Sequence, residues 1–282
     1  MQRALAKRVT GAGFARSGLG QVRERASTAP ELRLLFPECH LSPPADMSHG
    51  GPIGRSLAPM SERLVIPSRT EAESELSVAH PWWEFSVRFN VAVSHSLPVA
   101  RMHECETEGV MMRWGLVPSS AKGDLTPGGY ALARSDSLQS AEGSRSAWLH
   151  GRRGIVPLAG FYVWQRTPAG YRQPYYVRLV NRLVFGVAVL WERSVTDDDD
   201  VVESCALVTV PANPLLAEID NNMDQMPAIL RREDYTTWLG ATVAQANELL
   251  QTYPQTRMVT HPVGPYVNDL ERDEPRLIQR VP

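Results

Sequence analysis

The chain has 282 residues, 43% of them hydrophobic and 21% charged, which is the balance of an ordinary globular protein with enough length to bury a core. Its formal net charge of −2 excludes bulk attraction as the basis of nucleic-acid binding, so any basic surface has to be built from particular arginines. Three cysteines without a CxxC pair fit a reducing compartment, hence a cytoplasmic protein, and no apolar run approaches the roughly 20 residues that span a bilayer.

Residues 1–59 carry eight Lys/Arg against four Asp/Glu, a net of +4, which leaves −6 for residues 60–282. The first 30 residues are rich in Ala, Arg, Gly and Ser, with Glu24 as the sole acid. That composition is transit-peptide-like but lacks the apolar segment of a secretory signal. The Pro/Gly-rich stretch His40–Pro59 has no period, so 1–59 reads as an unstructured extension or as coding sequence ahead of a later start. Residues 60–282 read as one domain.

From Met60 the pattern becomes regular. Arg63–Ile66 is a short strand stopped by Pro67. Ser68-Arg69-Thr70-Glu71 has the form of a capping box and opens a short helix over Ala72–Val78. Arg88–Val93, Leu97–Met102 and Gly109–Val117 read as strands, the last ending at Pro118. A Ser/Gly/Pro-rich loop follows over Ser119–Gly129, then an extended piece over Tyr130–Asp136. Gln139–Leu149 suits a short helix. The stretch Arg153–Gln165 is apolar and bent at Pro157 and Gly160, and strands over Gln173–Val180 and Arg182–Glu192 come next.

Asp197–Asp200 is a hairpin tip, because four adjacent like charges repel unless water separates them. Ser204–Val210 is a buried strand. Asn213 is placed to cap the helix after it, which runs through Ile219. Met226–Leu230 leads into a helix through Leu239, with Gly240 as its left-handed stop. Thr242-Val243-Ala244-Gln245 is a second capping box, with a helix to about Gln251, and Met258–Val263 is a late strand. Many strands with scattered helices and no βαβ rhythm predict an α+β fold around a barrel-like or strongly bent antiparallel sheet with peripheral helices.

Several residues have structural roles on this reading. Trp164, Trp191, Tyr175 and Tyr176 suit core packing. Cys205, inside a strand, suits an inert buried thiol. Arg134 could be the ion-pair partner of Asp136. The seven histidines (40, 49, 80, 95, 103, 150 and 261) show neither HExxH nor a His pair beside cysteines, so no metal and no cofactor are expected.

An ordered series of short motifs carries a family resemblance. It starts with Met60-Ser61-Glu62-Arg63, where the family has Met-Cys-Gly-Arg. It continues with Arg88-Phe89-Asn90-Val91-Ala92 and Arg113-Trp114-Gly115-Leu116-Val117-Pro118. Ala133-Arg134 matches part of the family's Asn-Ala-Arg-x-Glu-Thr. Then come Gly160-Phe161-Tyr162-Val163-Trp164, Pro174-Tyr175-Tyr176, Gly186–Trp191, Thr209–Asn213, Met226-Pro227 and Val267-Asn268. From Met60 onward the chain resembles the SOS-response-associated peptidase family, proteins that bind single-stranded DNA at abasic sites.

The resemblance implies a chemistry whose parts are missing here. In the family an N-terminal Cys offers an amine and a thiol to the aldehyde of an abasic sugar, closing a thiazolidine, while Glu, His and Asn residues move protons and orient the sugar. Autoproteolytic activity is implied as well. The equivalent positions here are Ser61 for Cys, Leu132 for Asn, Val163 for Glu and Met223 for His, so no catalytic residue is retained.

The binding residues are kept. Arg63, Asn90, Arg113, Trp114 and Arg134 match the family's DNA-binding positions, Arg63 and Arg134 as the phosphate-neutralising arginines and Trp114 as the residue that packs against an unstacked base. The expected function is therefore single-stranded DNA binding in the DNA damage response by a degenerate, monomeric member of the family, nucleoid-associated when bound and with no membrane partner. Two alternatives stand beside it. One is an active crosslinker or lyase that starts at Met60 and uses the Ser61 amine, with Glu192 or Asp136 as base. The other is a protein-binding or structural module that has abandoned DNA.

Overall fold

The computed structural model describes residues 62–119, 130–167, 170–195, 199–220 and 224–281, all within the unit Leu41–Pro282. Strand β1 (Arg63–Ile66) is followed by helix α1 (Arg69–Leu76). Ser68 starts α1 as the sequence predicts: its hydroxyl and backbone N–H both meet the Glu71 carboxylate, and the Glu71 N–H returns to the Ser68 oxygen. The chain continues through β2 (His80–Pro81), β3 (Arg88–Ala92), β4 (Ser96–His103), β5 (Glu106–Trp114), β6 (Leu132–Arg134) and α2 (Glu142–Leu149). Of the loop expected over 119–129, only Ser119 lies within the described residues.

The second half holds β7 (Arg153–Leu158), β8 (Gly160–Arg166), β9 (Arg172–Leu179), β10 (Phe185–Val195) and β11 (Val201–Pro211). It ends with α3 (Pro214–Ile219), β12 (Gln225–Pro227), α4 (Tyr235–Gly240), α5 (Val243–Glu248) and β13 (Met258–Pro262). Asn213 caps α3 by accepting from the Leu216 N–H, and Thr242 with Gln245 forms the second capping box. β10 and β11 pair out to Val195 and Val201, which leaves the acidic run at the hairpin end, with 197 and 198 outside the described residues. Among the described residues no helix is long and apolar enough to cross a membrane.

Two sheets result. One is fully antiparallel, in the order β13-β9-β8-β1-β3. The other runs β12-β11-β10-β7-β4-β5-β2, and β5 also pairs with β11, so β11, β10, β7, β4 and β5 close into a ring. Five strands cannot alternate direction all the way round a ring, so one junction has to be parallel. It is β5 against β11, at Arg113 with Ser204 and Trp114 with Cys205. The expected barrel-like antiparallel sheet is therefore present, with parity forcing this one parallel closure.

The apolar stretch 153–165 splits into β7 and β8, one in each sheet, with Ala159 between them donating to the Val65 carbonyl. Gly160 is needed at this corner: a Cβ there would lie 2.4 Å from the Tyr176 ring. The main core packs Leu97, Val99, Met112, Ile155, Val187 and Leu207 beneath α2 and α4.

Gly240 departs from expectation, since it stays inside α4 and the chain leaves the helix through extended Ala241. The stop comes from Arg153 on β7, whose guanidinium donates to the Trp238 and Ala241 carbonyls. Arg153 lies between the Trp148 and Trp238 rings at 5.9 and 5.8 Å, and burial pushes its pKa down to about 10.

Candidate functional site

The end of the ring at which β5 closes onto β11 gathers the expected binding residues. The β3–β4 turn docks there: the Ser94 N–H donates to the Trp114 carbonyl and the Trp114 N–H to the His95 carbonyl, both at 2.8 Å. β1 lies against β3 with Arg63 opposite Ala92. β6 follows β5 along the same edge of β11, and β12 pairs with β11 at Thr209 and Val210.

Arg63 and Arg113 are partly exposed, and among the described residues neither has a carboxylate within ion-pair distance. Arg63 donates one bond, from Nη1 to the Glu62 carbonyl at 2.9 Å, and its Nε is buried without a partner. Burial lowers the Arg63 pKa, against a smaller opposite pull from Glu62. Burial raises the Glu62 pKa in turn, against a smaller pull from Arg63.

Arg113 donates to the Gly115 carbonyl at 2.9 Å and to the Ser94 hydroxyl at 3.2 Å. Both acceptors are neutral. Gly115 has φ of +116°, a backbone state that L side chains resist, and this turn sets the carbonyl under the guanidinium.

Arg134 differs. Its guanidinium meets Asp136 at 2.8 Å and Asp224 at 2.6 Å, a clamp that ties β6 to the start of β12. These bonds, Asp136 first, hold the guanidinium above its ordinary pKa, and Arg134 in turn holds Asp136 below the usual carboxylate range. The triad carries one negative charge, so Arg134 as it stands offers nothing to a phosphate.

Two expected contacts are not on the surface. Trp114 is fully buried, and its indole N–H donates to the Ala131 carbonyl at 2.9 Å, so neither ring face is open to a base. It sits inside because β5 ends at the closing pair, where the side chain points into the core. Asn90 is also fully buried; its amide donates to the Val267, Asp269 and Arg272 carbonyls at 3.2, 2.9 and 3.0 Å and fixes the C-terminal segment to β3.

Among the positions expected to stand where the family has catalytic residues, Val163 is fully buried on β8 and Leu132 is half-buried on β6, while Ser61 and Met223 lie outside the described residues. The alternative bases are both ion-paired: Glu192 is fully buried against Arg152, and Asp136 belongs to the clamp. Cys205 is the inert thiol expected, with burial pushing its pKa up to about 12. Among the described residues no group of three or more His, Cys, Asp or Glu is placed to hold a metal.

His95 was missed by sequence reasoning, because it belongs to no motif. Its Nδ1 accepts the Ala92 N–H at 3.3 Å, which selects the neutral ring with its proton on Nε2. Burial first, then Arg88 and Arg63, lower its pKa from the ordinary 6.5, and Asp273 opposes them. Asp273 is itself engaged by the Arg88 guanidinium and the Phe89 N–H. Its place in the turn between two predicted strands was the available signal.

Comparison with known proteins gives the family of the chain. Residues 60–270 match the model described as SOS response associated peptidase (SRAP). The chain is similar to "Abasic site processing protein YoqW" of Bacillus subtilis, 28% identical over 204 residues that cover 71% of this chain and 88% of that one. It is also similar to "Abasic site processing protein HMCES" of Gallus gallus, 27% identical over 196 residues, or 59% and 56% of the two chains. Crystal structures of proteins from Bordetella bronchiseptica and Bacteroides thetaiotaomicron share the fold. Their TM-scores are 0.64 and 0.63, with 21% and 24% identity, covering 72% and 68% of this chain and 99% and 85% of theirs.

Proposed function

Because the chain belongs to the SOS response associated peptidase family, we propose that it binds single-stranded DNA at abasic sites without making the family's covalent link. One observation carries the reading. Arg63 and Arg113, two guanidiniums with no ion-paired carboxylate among the described residues, flank the Ser94–His95 turn, while the positions equivalent to the family's Asn and Glu hold the aliphatic Leu132 and Val163. A guanidinium that meets only neutral oxygens keeps its full charge for a phosphate. An isopropyl or isobutyl group neither moves a proton nor orients a sugar hydroxyl.

The test is fluorescence anisotropy of the full chain with intact and abasic single strands over a salt series, followed by borohydride treatment. Two phosphate contacts give a slope of log K against log salt of about −1.4. Salt-dependent binding with no trapped adduct is the expected outcome. Ser61 has a free amine only in a protein that starts at Met60 and loses that Met, so trapping is repeated on such a protein, and an adduct there moves the assignment to Schiff-base chemistry at the Ser61 amine. Absence of binding at low salt moves it to a module without DNA. In the same assay Asp224→Asn is expected to strengthen binding several-fold, because it releases one arm of Arg134 and removes a negative charge beside the strand. Unchanged affinity in that variant would place the clamp outside the path of the strand.

His95 adds a pH dependence. In the free protein Arg88 and Arg63 oppose its protonation, whereas a phosphate at Arg63 favours it, so binding takes up a proton. Affinity is therefore expected to rise as pH falls from about 7.5 to about 5.5, and the rise should vanish in His95→Gln. A pH profile identical in both proteins would remove His95 from the site.

A further inference from the structure

We propose that the cavity between α1, the β9–β10 turn and the segment before α4 binds a terminal phosphate group, at a site separate from the Arg63 face. The cavity is an open depression of about 740 Å³, a volume within the ordinary range for small-molecule sites. Arg182, Arg231, Arg232 and Arg257 line it together with Glu71, Glu75 and Glu233. α1 follows the Ile66 end of β1, whereas Arg63 lies at the other end, about 10 Å of strand away.

What makes the wall an anion site is how its charges are already spent. Arg182 is held by the Glu75 carboxylate and by the Tyr235 hydroxyl at 3.2 Å, and the same hydroxyl donates to Glu75 at 2.8 Å. That pair is closed, and it makes a rigid side to the cavity. The Glu71 carboxylate is turned to Ser68 at the start of α1. Arg232 donates to the Ser74 carbonyl at 2.9 Å, which anchors the side chain without neutralising it. Arg231 and Arg257 are exposed, and among the described residues neither has a carboxylate within 4 Å. Three arginines without a carboxylate partner among the described residues thus stand against two carboxylates, Glu71 and Glu233, which leaves the wall one positive charge in excess.

Guanidinium forks arriving from two separate segments, 231–232 and 257, suit a group that offers several oxygens at once. A phosphate monoester offers three and carries nearly two negative charges at neutral pH. Leu183, at 79% exposure on the rim, gives an apolar face for whatever carries the phosphate.

The phosphate can come from a free nucleotide or from a strand end, and one experiment separates them. Inorganic phosphate, a 5′-mononucleotide, and single strands with and without a 5′-phosphate are titrated into the full chain. Binding is read by calorimetry and, for the phosphates, by 31P line shape. Saturable binding that needs the terminal phosphate is expected, and it should weaken at least tenfold in Arg231→Ala/Arg257→Ala. Both side chains are exposed and unpaired, so the variant should keep the parent circular dichroism and unfolding midpoint. Arg63→Ala/Arg113→Ala should leave this binding intact while weakening the strand contact. The proposal is overturned if no phosphate ligand saturates, if Arg231→Ala/Arg257→Ala binds like the parent, or if Arg63→Ala/Arg113→Ala alone abolishes the effect. Loss of strand binding with phosphate binding retained would remove the DNA reading and leave this site standing.

Discussion

Replacing Trp114 by alanine is expected to lower the free energy of unfolding by about 3–5 kcal/mol, seen as a lower urea midpoint with an unchanged slope. The side chain has no exposed surface and lies where the ring closes, so alanine leaves a cavity in the main core. The Ala131 carbonyl also loses its 2.9 Å bond from the indole and keeps the 3.0 Å bond from the Leu207 N–H. Trp114→Phe keeps most of the volume and loses the donor, and about 1–3 kcal/mol is expected there. A stacking platform would behave in the opposite way: Trp114→Ala would keep the parent midpoint and lose about 1–3 kcal/mol of strand affinity. That result would contradict the buried placement.

The second large effect is on binding. Arg63→Ala/Arg113→Ala is expected to weaken single-strand binding about 100-fold at low salt and to bring the salt slope close to zero. The size follows from two charge-assisted contacts at about 1.5–3 kcal/mol each, reduced because both guanidiniums are partly exposed. Stability should change little, since neither arginine is ion-paired among the described residues and Arg63 already carries a buried, unbonded Nε. Arg63→Lys separates charge from geometry. An ammonium keeps the salt slope but lacks the planar fork, so an intermediate loss is expected. Equal affinity of the double variant and the parent across the salt series would refute the proposed interface.

The proposed interface rests on Arg63 and Arg113 and not on Arg134 for a reason the motifs alone do not show: Arg134 is held by two carboxylates, whereas the other two meet neutral oxygens. Asp136 is two residues from Arg134, and the sequence already offered it as a partner. Asp224 is 90 residues away, and only the pairing of β6 and β12 with β11 brings it there. The clamp thus turns an arginine that the motifs offered for phosphate into part of a local negative charge.

Much of the local structure was legible because its causes are local. Ser68 with Glu71 and Thr242 with Gln245 begin helices through bonds that span three residues. Asn213 caps α3 by the same short reach. The bend at Gly160 was visible too, although the passage of the chain there from one sheet to the other was not. Gly240 shows where local reasoning ends: α4 is stopped by Arg153, which donates to its last carbonyls from a strand more than 80 residues earlier.

Sequence alone determined the α+β class, the positions of most strands and the family resemblance, because identity and short-range periodicity are written along the chain. Tertiary structure alone decided that Trp114 and Asn90 are core, that His95 joins the arginines, and which guanidiniums keep their charge. Exposure and ion pairing depend on closure of the β11-β10-β7-β4-β5 ring and on carboxylates delivered by distant strands, and no local pattern encodes that delivery.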